Sequence, residues 1–120
     1  ILETGEYTDL DHVRDASNLA IAAGADFIKT STGKTPHSAR LPAARTMLEV
    51  IAAAGRQVGL KPSGGIRTLD DAAGYLGLAD EIMGPGWAGP ESFRFGASGL
   101  HQVLVDVIAG GRAGQASGPY

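Results

Sequence analysis

Two lysines stand where the surrounding pattern calls for apolar side chains. Lys29 closes the run Asp26-Phe27-Ile28-Lys29-Thr30, and Lys61 closes Val58-Gly59-Leu60-Lys61-Pro62. Inward strand positions ordinarily carry Val, Ile or Leu, and a lysine there is costly to bury unless it is neutral or paired. Burial disfavours the ammonium and exposes a nucleophilic amine, which is what Schiff-base formation with a carbonyl requires. A single lysine in such a place also reads as a stem lying along the strand end with its charge in water. The pair argues for chemistry. Lysines at equivalent ends of adjacent parallel strands point into one mouth, and like charges at close range disfavour the second proton. The sequence puts no carboxylate obviously between them.

Glycines follow the same strand ends. Gly33, the pair Gly64 and Gly65, and Gly96 each come after a strand-like run and before a helical one. Without a Cβ, backbone amides at such turns approach a phosphate closely. Arg67, Lys34 and Ser98 would add charge and hydroxyl donors. The plainer reading is that these glycines make tight turns. Two letter patterns fail. Gly33-Lys34-Thr35 imitates the end of a P-loop, but Ile28 stands where the first glycine is required. Gly84-Pro85-Gly86-Trp87-Ala88-Gly89 matches a dinucleotide fingerprint but precedes a strand and contains a proline, so it reads as a loop. His12, His37 and His101 show no metal-ligand spacing; His37 follows the lysine loop and borders the mouth if any of them does.

These residues are positioned by a repeating unit. Ile1-Leu2-Glu3-Thr4, Asp26 to Thr30, Val58 to Pro62 and Phe93-Arg94-Phe95-Gly96-Ala97 read as strands, each followed by a helical segment. One strand and one helix per roughly 30 residues is the rhythm of a parallel sheet. The first helix is expected from Asp9 to Ala23, with Asp9 or Thr8 as cap and Gly24 past its end. The second starts near Pro42, stops at Gly55 and turns Ala44, Met47, Leu48 and Ile51 inward. The third starts after Thr68, with Asp70 and Asp71 in its first turn. In the last, Leu100, Val103, Leu104, Val107 and Ile108 predict one buried stripe. Open doubly wound sheets share this rhythm, but the one-sided, small-residue helices and the polar residues after the strands favour a barrel. A (β/α)8 TIM barrel needs eight units and about 250 residues. The expected architecture is therefore α/β, half of a TIM barrel with four parallel strand–helix units over residues 1–109, followed by a flexible Gly/Ser/Ala tail over 110–120.

Composition narrows the chemistry. With 120 residues, 43% of them hydrophobic and 19% charged, the chain is a foldable domain or a piece of one. Ile1 opens it inside an expected strand, so a fragment is expected. Ten basic and thirteen acidic residues give a net charge of −3, which supplies no basic stripe for nucleic acid and no polybasic run for a membrane surface. The absence of cysteine excludes disulfides, Cys-ligated metals and thiol nucleophiles, and fits a cytoplasmic location. Neither a membrane span nor a secretory signal is expected.

Phe27 to Lys34, Lys61 to Thr68, Phe93 to Ser98 and the opening Ile1 to Gly5 resemble the deoxyribose-phosphate aldolase family, class I aldolases on a TIM barrel, over essentially the whole chain. The resemblance is to the C-terminal half of that family. It implies reversible cleavage of 2-deoxy-D-ribose 5-phosphate to D-glyceraldehyde 3-phosphate and acetaldehyde. It also implies that Lys29 is the Schiff-base lysine and that Lys61 tunes it and takes part in proton transfer. Thr32, Gly33, Lys34, Gly64, Gly65, Ile66, Arg67, Gly96 and Ser98 match the substrate and phosphate loops, and Tyr120 matches a C-terminal tyrosine that reaches the site in one branch of the family. Gly99 stands where a second serine is common, and the family's relay aspartate lies in the other half of the barrel. No cofactor and no metal are implied. The implied partners are a phosphorylated sugar and small aldehydes; assembly as a homodimer is left open. The alternatives are a Schiff-base aldolase of another phosphosugar and a truncated, non-catalytic half-barrel that binds phosphate.

Overall fold

In a computed structural model of the chain, residues 1–112 and 114 are described. The expected tail, Tyr120 included, falls largely on positions 113 and 115–120, outside the described residues.

The helices begin and end where their caps dictate. Helix α1, Leu10–Ala22, is capped by Asp9, whose carboxylate accepts the His12 amide at 3.0 Å. Gly24, at φ 101°, turns the chain out of it. Helix α2, Leu41–Ala53, carries Pro42 in its first turn and leaves through Gly55 at φ 74°. Ala44, Met47, Leu48 and Ile51 are buried, and so are Ala43, Thr46 and Val50, because α2 is flanked by α1 and by helix α3, Leu69–Met83. Helix α3 opens with a reciprocal capping box between Thr68 and Asp71.

Two strands are regular, β1 (Phe27–Lys29) and β2 (Gly59–Lys61), and they pair in parallel. The other two expected strands lie in the right places with broken ladders. The amides of Leu2 and Thr4 donate to the carbonyls of Lys29 and Thr30, both at 2.9 Å, which sets the first segment beside β1. Glu3 between them adopts a left-handed conformation (φ 59°, ψ 56°), which ends extension and starts a short 3-10 turn, Thr4–Glu6. On the other side, Leu60 donates to Ser92, Arg94 to Leu60 and Gly96 to Pro62, with bridges at Leu60–Phe93 and Ser63–Gly96. The rung that would complete this ladder belongs to Pro62, which has no N–H to give.

The spatial order of the four segments is their order in sequence. That is the order of a barrel wall; a doubly wound sheet reverses direction partway along. Ile28 and Leu60, 1% and 0% exposed, face the helices and meet Met47, Leu48, Ile51 and Ala79 in one core.

The last helix departs from expectation. In α4, Ser98–Ile108, Leu100 and Val103 are buried, but Leu104 is 36% and Ile108 85% exposed. Helix α4 packs along α3, and among the described residues the second half of its apolar stripe is left largely exposed.

Candidate active site

The period-two alternation of a strand separates the site from the core. Ile28 and Leu60 point to the helices; Phe27, Lys29, Gly59 and Lys61 point to the other face. The register pairs Phe27 with Gly59 and Lys29 with Lys61. The two lysines are therefore cross-strand neighbours on one face, both half-buried. Beneath them the Phe27 ring lies over Gly59, where a Cβ would collide with it. The Arg94 guanidinium stacks over the same ring, 4.3 Å from its centroid. This forms a floor under the two amines.

Beyond the strand ends, the chain is held by a buried hydroxyl. Thr30 donates from Oγ1 to the Ser63 carbonyl at 3.2 Å and accepts the Ser63 amide at 3.0 Å, which locks the turns after β1 and β2 together. The next turn, Thr32 to Lys34, is gripped by Glu3. The Glu3 carboxylate accepts the Thr32 amide (3.0 Å) and the Thr32 hydroxyl (2.6 Å), and that hydroxyl in turn accepts the Lys34 amide (3.1 Å). These bonds to Thr32, chiefly its hydroxyl, hold the Glu3 carboxyl below the usual range, and the charge of Lys29 adds to the effect. A carboxylate thus stands at the strand ends on the side of β1 away from β2, near Lys29 but not between the two lysines, a neighbour the sequence reading did not single out. The available signal was a glutamate inside an apolar strand run; what hid its role was the left-handed backbone that turns it toward the next loop.

The glycine-rich turns meet in a cavity of about 300 Å³ between the loop after β1 and the loop after β2. Gly33, Gly64, Gly65 and Arg67 line it, together with His37 and Arg40. Arg40 was missed by the sequence reading. It donates to Nδ1 of His37 at 2.9 Å and brings a second guanidinium to this wall. Gly64, at φ 90°, has Ser38 packed where its Cβ would be, so the left-handed turn and the close approach both require glycine. Arg67 is fixed from its backbone: its amide, with that of Thr68, donates to the Asp71 carboxylate, and these bonds, the Arg67 amide first, keep that carboxyl low. Its Nε is buried with no hydrogen-bond partner. The Ile66 side chain is 1% exposed and belongs to the core, so only its backbone faces the turn.

Gly96 and Ser98 lie on the far side of Lys61, outside that cavity. A Cβ on Gly96 would strike the Ser63 hydroxyl and touch Cε of Lys61 at 3.4 Å. Ser98 is the exposed first residue of α4, whose cap position, Ala97, offers no side-chain acceptor. Lys34 is exposed, and Thr32 is engaged by Glu3. Of the predicted residues, Gly33, Gly64, Gly65 and Arg67 share the cavity, Lys29 and Lys61 pair in register, Gly96 and Ser98 stand apart from the cavity, Ile66 is in the core, and Tyr120 lies outside the described residues. Among the described residues no group of three His, Asp or Glu is arranged to hold a metal ion. No helix there is long and apolar enough to cross a membrane.

Parallel strands in sequential order, with paired lysines at their C-terminal ends and glycine turns above, form part of the wall of an α/β barrel. Residues 3–99 match the DeoC/LacD family of aldolases, and the chain belongs to that family. It is 53% identical over all 120 residues to a deoxyribose-phosphate aldolase of Agrobacterium fabrum, of which it spans 46%. A crystal structure of a candidate deoxyribose-phosphate aldolase from Toxoplasma gondii ME49 superposes with a TM-score of 0.68 at 24% identity, covering 78% of this chain and 39% of that one. A second solved structure, QR15, an aldolase, gives 0.61 at 28% identity over 89% of this chain and 43% of its own. The chain is thus an α/β piece with parallel strands that matches under half of the solved aldolases.

Proposed function

We propose that this chain carries the Schiff-base machinery of a class I aldolase that cleaves 2-deoxy-D-ribose 5-phosphate to D-glyceraldehyde 3-phosphate and acetaldehyde, a cytoplasmic step in deoxyribonucleotide breakdown. The observation that carries the reading is the cross-strand pairing of Lys29 with Lys61 on the face opposite the core.

In this mechanism the Lys29 amine adds to the aldehyde carbon of the open-chain sugar, and water leaves to give an iminium. Loss of the proton from the C3 hydroxyl breaks the C2–C3 bond, the hydroxyl carbon departs as the aldehyde of glyceraldehyde 3-phosphate, and the electron pair enters the iminium as an enamine. The enamine takes a proton on carbon, and water hydrolyses the imine to release acetaldehyde and the amine. Lys61, next to Lys29 in register, is the group suited to moving protons in these steps. Phosphate binding at the glycine turns holds the sugar in register and applies binding energy remote from the reacting bond. Support for the phosphate comes from the cavity that Arg67 and Arg40 share, from the buried Nε of Arg67 that lacks an acceptor, and from the uncapped start of α4 beside Gly96 and Ser98.

The test is acetaldehyde release from 2-deoxy-D-ribose 5-phosphate compared with unphosphorylated 2-deoxyribose. The reading expects cleavage of the phosphate ester in strong preference to the free sugar. Equal rates would remove the phosphate assignment, and cleavage of neither would remove the reaction. Because the chain spans 46% of the Agrobacterium relative, turnover below that of a complete barrel is expected.

A further inference from the structure

Glu3 has no part in the reaction as derived above, yet its carboxylate accepts from three donors at the strand ends. Its backbone sits in the left-handed region, at φ 59° and ψ 56°, a conformation that a residue other than glycine adopts at a cost. The carboxylate that this conformation aims at the neighbouring loop takes two hydrogen bonds from one residue, the amide and the hydroxyl of Thr32. An ionised carboxylate only accepts, so it fixes the Thr32 hydroxyl proton toward itself and leaves the hydroxyl's lone pairs to receive the Lys34 amide. Thr35 adds a hydroxyl 3.5 Å away, although its shorter bond, 3.0 Å, goes to the His37 carbonyl. One side chain therefore sets the shape of the turn that leaves Lys29 and carries Gly33 and Lys34.

We propose that Glu3 is a positioning residue for Lys29, its carboxylate tying the Thr32–Lys34 turn into one arrangement through Thr32 and bringing a negative charge to the strand end that carries the amine. The proposal rests on the aldolase reading for Lys29 and adds to it the group that holds the lysine loop. Charged groups at these strand ends, among the described residues, include Glu3 from the opening segment, Lys61 from β2, and Arg94 from the segment beyond β2, whose guanidinium lies over Phe27. Glu3 brings the negative charge among them. Replacing it by glutamine keeps the shape, removes the charge and leaves an amide that cannot accept from both Thr32 donors through two ionised oxygens.

The experiment combines two measurements on the chain and on its Glu3→Gln and Glu3→Asp variants. One is borohydride trapping of the acetaldehyde imine across pH, with the labelled lysine located by peptide mass spectrometry. The other is amide hydrogen exchange at Thr32 and Lys34. The expected result for Glu3→Gln is that the pH profile of Lys29 labelling moves toward acid, since a nearby carboxylate favours the ammonium. Exchange at both amides should also rise at least about tenfold. Glu3→Asp, which keeps the charge, should hold the labelling profile near that of the parent. Unchanged labelling and unchanged exchange in Glu3→Gln overturn the proposal. Faster exchange with an unchanged pH profile overturns the electrostatic part and reduces Glu3 to a structural tie. If the parent chain labels no lysine or a different one, the aldolase reading fails; exchange at Thr32 and Lys34 then still decides whether Glu3 holds the turn.

Discussion

Lys29 and Lys61 are direct register partners at the C-terminal ends of two adjacent parallel strands. Their immediate neighbours in register, Ile28 and Leu60, face the helix layer, so the alternation of the strands puts both amines on the opposite face together. The two positions predict distinct losses. Lys29→Ala should reduce aldol cleavage to background, because the neighbouring amine, Lys61, serves proton transfer and not imine formation. Lys61→Leu should leave a trappable lysine and slow turnover by about 100-fold or more, the usual weight of a proton-transfer group. Steady-state rates with single-turnover trapping separate the two; equal effects on trapping would contradict the division of roles.

Gly96 packs against the Ser63 hydroxyl, and that hydroxyl is buried without a hydrogen-bond partner. Gly96→Ala should cost about 1–3 kcal/mol through overpacking. Ser63→Ala should be neutral or stabilising by up to about 1 kcal/mol, since it removes an unsatisfied group. The double variant should recover part of the Gly96→Ala loss. Urea unfolding of the four proteins in a cycle measures the coupling, and strict additivity would show that the two residues do not press on each other.

Burial pushes the Tyr75 phenol up to about 12, and the negative charge of Asp71 adds to it. The fold therefore favours the neutral phenol. Its contribution to stability is intact below the ordinary value of 10.0 and is lost as pH rises from there to about 12. The slope in that window is at most about 1.4 kcal/mol per pH unit. Tyr75→Phe should flatten this alkaline loss in thermal melts between pH 9 and 11, and an unchanged slope would assign the loss to other groups.

The Thr68–Asp71 box sets the start of α3 and with it the backbone of Arg67. Thr68→Ala should cost about 0.5–2 kcal/mol. The Asp71 carboxyl is held below its ordinary value by the Arg67 amide first, so its contribution is present above about pH 4 and lost as pH falls through the lowered value. Asp71→Asn should remove that acid dependence, as read by melts between pH 2 and 6.

The helices were legible because their ends are chemical. Asp9, Pro42, Thr68, Gly24 and Gly55 each satisfy or end a backbone pattern locally, and the observed spans follow them closely. The alternation that pairs Lys29 with Lys61 was legible for the same reason, since strand period and repeat length fix it. Three features were not. Pro62 interrupts the last ladder, which depends on which neighbour its missing N–H would have served. Leu104 and Ile108 are apolar and helical in spacing yet exposed, because periodicity records a face and not what covers it. Glu3 and Arg40 act through contacts with residues far along the chain or across a loop, and single-sequence patterns carry no such pairing.

The most direct test of the central claim is mass spectrometry of the chain after acetaldehyde and borohydride treatment near neutral pH. The account predicts a single adduct of one reduced two-carbon imine, mapped to Lys29 and lost in Lys29→Arg. An adduct on Lys61 or Lys34 in place of Lys29, or no adduct under conditions where a free lysine peptide reacts, would contradict it.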